Sequence, residues 1–441
     1  MKRPVPGGID PARPAARASE LQPILSAVGT TELDEGVFET CLPSGTRILS
    51  ERIDSVRSVA TGFWFRSGSA HEPRELGGIS HLLEHMVFKG TERRSALELA
   101  LEIEGLGGSL DAYTAHEHTS FMARVPDTEL DTALDVLSDL SFAPNLSADD
   151  LVLEREVVLE EIARVEDTPD DTVFELHGEF LFGGHPYGSS ILGNRDTVSS
   201  IEAADLSRLH AAIYRPASLV VAAAGRVEHE QLVELVERRL PAEPGSGPQD
   251  VEAPDSFGRG LREVTRPGGR QVHIVAGAPG IAWGHPLRDA SIVVGTALGG
   301  GMTSRLFQRI REELGLAYAV FSWQSYYRAG GALGAYLGTR PETAARARDS
   351  LLSELRILAD DGLSEEEDQE TRTQIKGQLL LSLESTSARM HRLAGTVLHD
   401  EPFRSLDEIA TRIDAVTFSD IEEACSMLHP DGLAVLELAP A

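Results

Sequence analysis

The sequence predicts an α+β protein of two homologous units, each a mixed or antiparallel sheet with helices packed on one face, facing each other across a chamber. The order of strand and helix signals in residues 31–240 recurs in residues 256–441. Each run closes on a helix followed by a short buried strand. A segment rich in proline and glycine, 241–255, links them. A chain of 441 residues is also too long for one small core.

In the first unit, residues 56–64 mix β-branched and aromatic side chains and predict a strand. Gly77 and Gly78 form a turn into a helix carrying His81 and His85. A second helix over 96–106 stops at Gly107 and Gly108, and an alternating strand runs over 109–125. Helices follow over 129–140, 147–165, 172–182 and 204–213, then a buried strand over 219–224. The second unit repeats this order. It has a strand over 271–276, a helix over 291–298, a second helix over 304–314 entered through Gly299, Gly300 and Gly301, and a strand pair over 318–337. Helices over 343–359, 365–383, 388–398 and 419–428 lead to a last strand over 433–438. Residues 1–30 hold five prolines and no strong period, which predicts a mobile arm. Its basic residues Lys2, Arg3, Arg13 and Arg17 precede no apolar stretch, so a cytoplasmic location is expected.

The net charge of −30 argues against nucleic acid as partner; it serves either solubility alone or the attraction of basic partners, positively charged peptides among them. No run of about 18 apolar residues occurs, so no membrane span is expected. Cys41 and Cys425 are far apart and form no metal-ligand pair, in keeping with a reducing compartment.

The chemistry concentrates at His81-Leu82-Leu83-Glu84-His85. Two histidines at i and i+4 project from one helix face and make half of a tetrahedral zinc site. Glu84, beside the second, is placed to act on water without ligating the metal; this inverted His-x-x-Glu-His pattern is a known peptidase signature. A candidate for the third ligand lies on the helix that Ser147 opens, with Asp150 at capping-box spacing. Leu151, Glu154, Val158, Glu161 and Val165 share one stripe there, and two carboxylates on a core-facing stripe are costly unless paired or bound to a cation. Glu161 is the better ligand, and Glu154, two turns earlier, suits support of the ligands from behind. A salt bridge to a core arginine is the other reading of either carboxylate. His116 and His118, on one face of the strand over 109–125, lack a third ligand.

Residues 81–91, His-Leu-Leu-Glu-His-Met-Val-Phe-Lys-Gly-Thr, resemble the zinc helix of the M16 (pitrilysin-like) metallopeptidases, the family of mitochondrial processing peptidase and its bacterial relatives. Residues 154–162, Glu-Arg-Glu-Val-Val-Leu-Glu-Glu-Ile, resemble the family's downstream element, with Glu161 as third ligand 76 residues after His85. The resemblance covers nearly the whole chain after about residue 35. It implies one Zn2+ per chain and an endopeptidase acting on extended peptides in a closed chamber, with Glu84 as base. It also implies a substrate-binding edge strand at Gly108, Asp111, Ala112, Tyr113 and Thr114. Relatives usually carry Asn at the position of Asp111, so this chain keeps the acceptor and loses the amide donor.

In the second unit the resemblance assigns Arg311 to substrate anchoring and Tyr318 to the developing oxyanion, and places Gly299, Gly300 and Gly301 in a substrate-contacting loop. That loop lacks the Gly-Lys-Ser/Thr ending of a nucleotide loop. Two units per chain imply pairing with a second copy or a related subunit. The alternative within the family is a scaffold or substrate-holding subunit, whose members typically lose ligands or the catalytic Glu; this chain retains both.

Overall fold

The computed structural model describes residues 29–247 and 249–441. The arm expected over 1–30 therefore lies, but for its last two residues, outside the described residues.

The first unit opens with β1 (Gly29–Asp34), β2 (Val37–Cys41), β3 (Arg47–Arg52) and β4 (Ser58–Phe65). Helices α1 (Ile79–Val87) and α2 (Ala96–Glu104) lead to a hairpin of β5 (Ser109–Thr114) and β6 (Thr119–Pro126). Helices α3 (Leu130–Phe142), α4 (Ala148–Glu166), α5 (Pro169–Phe182), α6 (Arg195–Ser200) and α7 (Ala203–Ile213) follow, then β7 (Leu219–Gly225) and α8 (His229–Glu237). The second unit runs β8 (Gly260–Arg266), β9 (Val272–Gly280), α9 (Arg288–Gly299), β10 (Ala317–Tyr326) and β11 (Gly331–Thr339). It ends with α10 (Ala344–Asp361), α11 (Glu365–Ser382), α12 (Thr386–Leu398), α13 (Leu406–Ala415), α14 (Phe418–Ser426) and β12 (Ala434–Pro440).

The duplication appears in strand pairing. The first sheet has the order β1-β2-β3-β7-β4-β6-β5 and the second β10-β11-β9-β12-β8. Stripped of β1 and β2, the first matches the second strand for strand. One parallel pair, β3 with β7, corresponds to β8 with β12, and every other pair is antiparallel. Both β5 and β10 are edges. The chain is thus α+β with two sheets, as the sequence predicts. One expectation is corrected: residues 109–125 form a hairpin and not one strand, because residues 115–118 turn the chain. His116 and His118 accordingly sit in that turn and not on a strand face.

Alternation along β4 explains the layers. Val59, Phe63 and Phe65 face the unit's own helices, where Leu82, Leu83, Met86, Leu134 and Leu137 complete a dry core. Ala60 and Trp64 point the other way and pack on Met390, Leu393 and Val397 of α12, a helix of the second unit. The exchange is reciprocal: α5 of the first unit lays Val173 on Val275, Leu436 and Leu438 of the second sheet. The unit's own helices do occupy one face of its sheet, but the opposite face is covered by the partner unit's helix. Gly277 on β9 permits this approach, since a Cβ there would sit 2.6 Å from the His177 ring of α5. No helix among the described residues is long and apolar enough to cross a membrane.

Candidate metal centre

Helix α1 is oriented at its start. The Glu72 carboxylate accepts the N–H groups of Gly78 at 2.8 Å and Ser80 at 2.7 Å, capping donors that the first turn leaves without partners. Gly78 has φ +92°, and a Cβ on it would meet the Leu192 carbonyl at 2.4 Å, so only glycine lets these backbones approach. Ile79, Leu82, Leu83, Met86 and Val87 bury the opposite face of α1. His81 and His85 are thereby turned toward α4, their ring centroids 4.6 Å apart.

Helix α4 starts as predicted, with the Ser147 side chain accepting from the Asp150 N–H. It brings Glu161 to the histidines: Oε2 lies 3.6 Å from Nε2 of His81 and 3.7 Å from Nε2 of His85. Those gaps are too long for hydrogen bonds. They suit a shared cation, because donors about 2.1 Å from a tetrahedral zinc sit about 3.4 Å apart. One donor atom from each of His81, His85 and Glu161 lies within 4.8 Å of the others, the only such cluster among the described residues. Burial, and then the neighbouring His85, push the pKa of His81 down to about 4, so its imidazole is neutral and available as a ligand. The donor set and its spacing fit zinc.

The surrounding groups fix these donors. His85 donates its Nδ1 proton to Oε2 of buried Glu154 at 3.1 Å, which leaves Nε2 as the free lone pair. Lys89, one turn after His85, holds the other Glu154 oxygen in an ion pair. Glu84 is buried, and its Oε2 accepts the Thr114 hydroxyl proton at 2.6 Å. Burial raises the Glu84 pKa, the Thr114 bond opposes that rise, and the charges of Glu161 and Asp111 add to it. Behind it lies Tyr214, its ring stacked on Phe65 at 4.4 Å and its hydroxyl pKa raised by burial and the Glu84 charge.

The edge-strand residues divide by face. Leu110, Ala112 and Thr114 point toward the helices, while Asp111 and Tyr113 are exposed on the other side of β5. Gly108 packs at the strand's entrance, where a Cβ would meet the Arg124 carbonyl at 2.7 Å.

Arg311 and Tyr318 are brought to each other and not to the histidines. Residues Phe307–Glu313 wind as a π-helix. The Arg311 guanidinium lies 4.6 Å from the Phe307 ring centroid and 4.5 Å from that of Tyr318, and donates to the Tyr318 carbonyl at 3.0 Å. Tyr318 is 78% exposed on the edge strand β10. Among the described residues, no hydrogen bond, ion pair or ring contact joins either to His81, His85 or Glu161. Gly299 and Gly300 have a packing reason: added Cβ atoms would sit 2.1 Å from the Ser322 nitrogen and 2.8 Å from the Thr296 Cα. A Cβ on Gly301 would lie 3.3 Å from the Gln374 amide, a looser fit.

Sequence reasoning missed Lys89, Glu72 and Tyr214. Lys89 alone left a signal, standing four residues after His85, just past the end of α1.

Residues 47–195 match the model of insulinase (peptidase family M16), and residues 200–375 match that of the peptidase M16 inactive domain. The chain is 38% identical over 419 residues to an uncharacterized zinc protease of Streptomyces coelicolor, covering 93% of this chain and 90% of that one. To an uncharacterized zinc protease of Bacillus subtilis it is 36% identical over 403 residues, 91% of this chain and 98% of that one. Among solved structures, a peptidase M16 inactive domain from Pseudomonas fluorescens superposes with TM-score 0.86 at 20% identity, covering 92% of this chain and 98% of that one. A protease from Helicobacter pylori gives 0.84 at 20% identity, with 92% and 99% covered.

Proposed function

The chain belongs to peptidase family M16, and from that premise we propose that it is a zinc-dependent endopeptidase that hydrolyses extended, unstructured peptides. The observation that carries the reading is the convergence of His81, His85 and Glu161 within 4.8 Å, beside a buried carboxylate tied to a free sheet edge.

Zinc, when bound by those three residues, would supply Lewis acidity to the attacking water and the scissile carbonyl. Glu84 takes a proton from that water on a carboxyl oxygen and hands it to the leaving amine. Among the described residues only Thr114 hydrogen-bonds its carboxyl, and Oε2 is the atom engaged. Glu154 keeps the His85 proton on Nδ1. An extended peptide adds to β5, whose outer backbone groups no neighbouring strand uses. Asp111 and Tyr113 meet its side chains, and Gly108 and Ala112 let its backbone approach.

Arg311 and Tyr318 act on substrate across a chamber completed by a second chain, either a copy or a related subunit; among the described residues no contact joins them to the metal ligands of their own chain. The reading further includes one zinc per chain, a preference for basic peptides in keeping with the charge of −30, and a cytoplasmic location. Units of 31–240 and 256–441 joined by 241–255 complete it. Intact ligands and base disfavour the scaffold alternative.

The test is cleavage of an unstructured peptide library by the zinc-loaded chain, with products identified by mass. Failure of the loaded protein to cleave any member would overturn the reading.

A further inference from the structure

Glu117 lies in the turn between β5 and β6, only 9% exposed, and no basic side chain pairs with it among the described residues. Its carboxylate is satisfied by neutral donors on other elements. The Tyr187 hydroxyl donates to Oε1 at 2.7 Å, and the Arg328 backbone N–H donates to both oxygens at 3.0 Å. Arg328 sits in the turn between β10 and β11, so Glu117 fastens the tip of a first-unit hairpin to the tip of a second-unit hairpin. Tyr327 reinforces the joint, stacked on Tyr187 at 4.1 Å and edge-on to His116 at 5.3 Å. A buried carboxylate is an expensive way to join two turns, but its charge makes each hydrogen bond shorter and stronger than a neutral one.

What the joint holds still is close to the chemistry. Thr114, three residues before Glu117, ends β5 and donates to Glu84. Strand β5 is hydrogen-bonded to a neighbouring strand on one side only, by β6. Its placement therefore depends on the turn that Glu117 secures.

We propose that Glu117 is a positioning residue through which the second unit sets the Thr114–Glu84 hydrogen bond. The proposal rests on the peptidase reading with Glu84 as base. Misplacement of a reacting group by about 1 Å can cost on the order of a hundredfold in rate, so a smaller slackening of the hairpin should be visible.

The experiment is a double-mutant cycle on kcat for a chromogenic peptide, using the zinc-loaded full chain and the variants Glu117→Gln, Thr114→Val and the pair. Glu117→Gln should lower kcat about tenfold, with KM changed less than threefold and zinc content unchanged. Combined with Thr114→Val, it should cause no further loss, since both act on one bond. Losses that multiply, a change in KM alone, or an unchanged kcat would overturn the proposal. If Glu117→Gln does not fold, Tyr187→Phe, which removes one of the donors, takes its place in the same cycle. Wild-type cleavage together with inactivity of Glu84→Gln separates failure of this proposal from failure of the peptidase reading.

Discussion

His85 donates its Nδ1 proton to Oε2 of Glu154 across 3.1 Å, and the same carboxylate is neutralised from its other side by Lys89. The two contacts have one effect. They hold the His85 lone pair on Nε2, aimed at Glu161, before any cation arrives. Glu154→Ala should therefore weaken zinc binding by about 10- to 100-fold, measured by competition with a chromophoric chelator. Lys89→Met should weaken it less but in the same direction. Unaltered affinity in Glu154→Ala would show that His85 needs no such support.

Glu84→Gln tests the base separately from the metal. The variant should keep one equivalent of zinc by elemental analysis while kcat falls by about 10²- to 10⁴-fold. Full cleavage by this variant is incompatible with the assigned role.

Removing the cation should affect stability as well as activity. If zinc is present at about a thousand times its Kd, it stabilises the folded chain by about 4 kcal/mol, or about 5 °C in Tm for a chain of this size. A strong chelator should lower the melting temperature by that order, and added zinc should restore it. Identical melting curves with and without chelator would count against a resident ion.

Acid sensitivity follows from buried and half-buried histidines outside the ligand set. His177 on α5 donates from Nε2 to the Ala434 carbonyl, and burial pushes its pKa down to about 4 from an ordinary value of 6.5. His116 is likewise pushed down to about 4, and His399 to about 3. The folded pKa values are depressed, so their contribution is complete above pH 6.5 and fades as pH falls toward 4, where the unfolded chain takes up protons the folded one refuses. Urea midpoints should drop over that window. His177→Gln should flatten the drop by up to about 1.4 kcal/mol per pH unit; an unchanged slope would remove His177 from the account.

The exchanged helix makes a packing prediction. Leu393→Ala on α12, fully buried against Trp64 and its neighbours, should destabilise the protein by about 2–5 kcal/mol. The loss should be seen in the unfolding of both units together, by near-UV circular dichroism and intrinsic fluorescence. Separate transitions for the two units would contradict the mutual cover.

Legibility from sequence followed the reach of each signal. Helices α1 and α4 were plain because ligand spacing and capping are local patterns, and the Glu154 and Glu161 carboxylates stood out on a stripe that should be apolar. Strands β1 to β3, β8 and helices α6, α8 and α13 were not predicted. The residues of β1 and β8 are mostly polar and exposed, and carry little alternation. The hairpin turn was hidden because Ala115-His116-Glu117-His118 contains no glycine, proline or asparagine, so alternation seemed to continue. Amphipathicity told that α5 and α12 bury a face but not which sheet receives it. Glu117, joined to Arg328 across 211 residues, left no sequence trace.

The traded helices also constrain how the chain is made. The first sheet is complete once β7 has emerged from the ribosome at residue 225, but α12 begins only at residue 386. At about 5–20 residues per second, the side of that sheet bearing Trp64 stays bare for roughly 10–30 seconds. A nascent chain in that interval presents a sticky apolar plate, so a stall or truncation between the two points should yield a chaperone client and not a free-standing first unit.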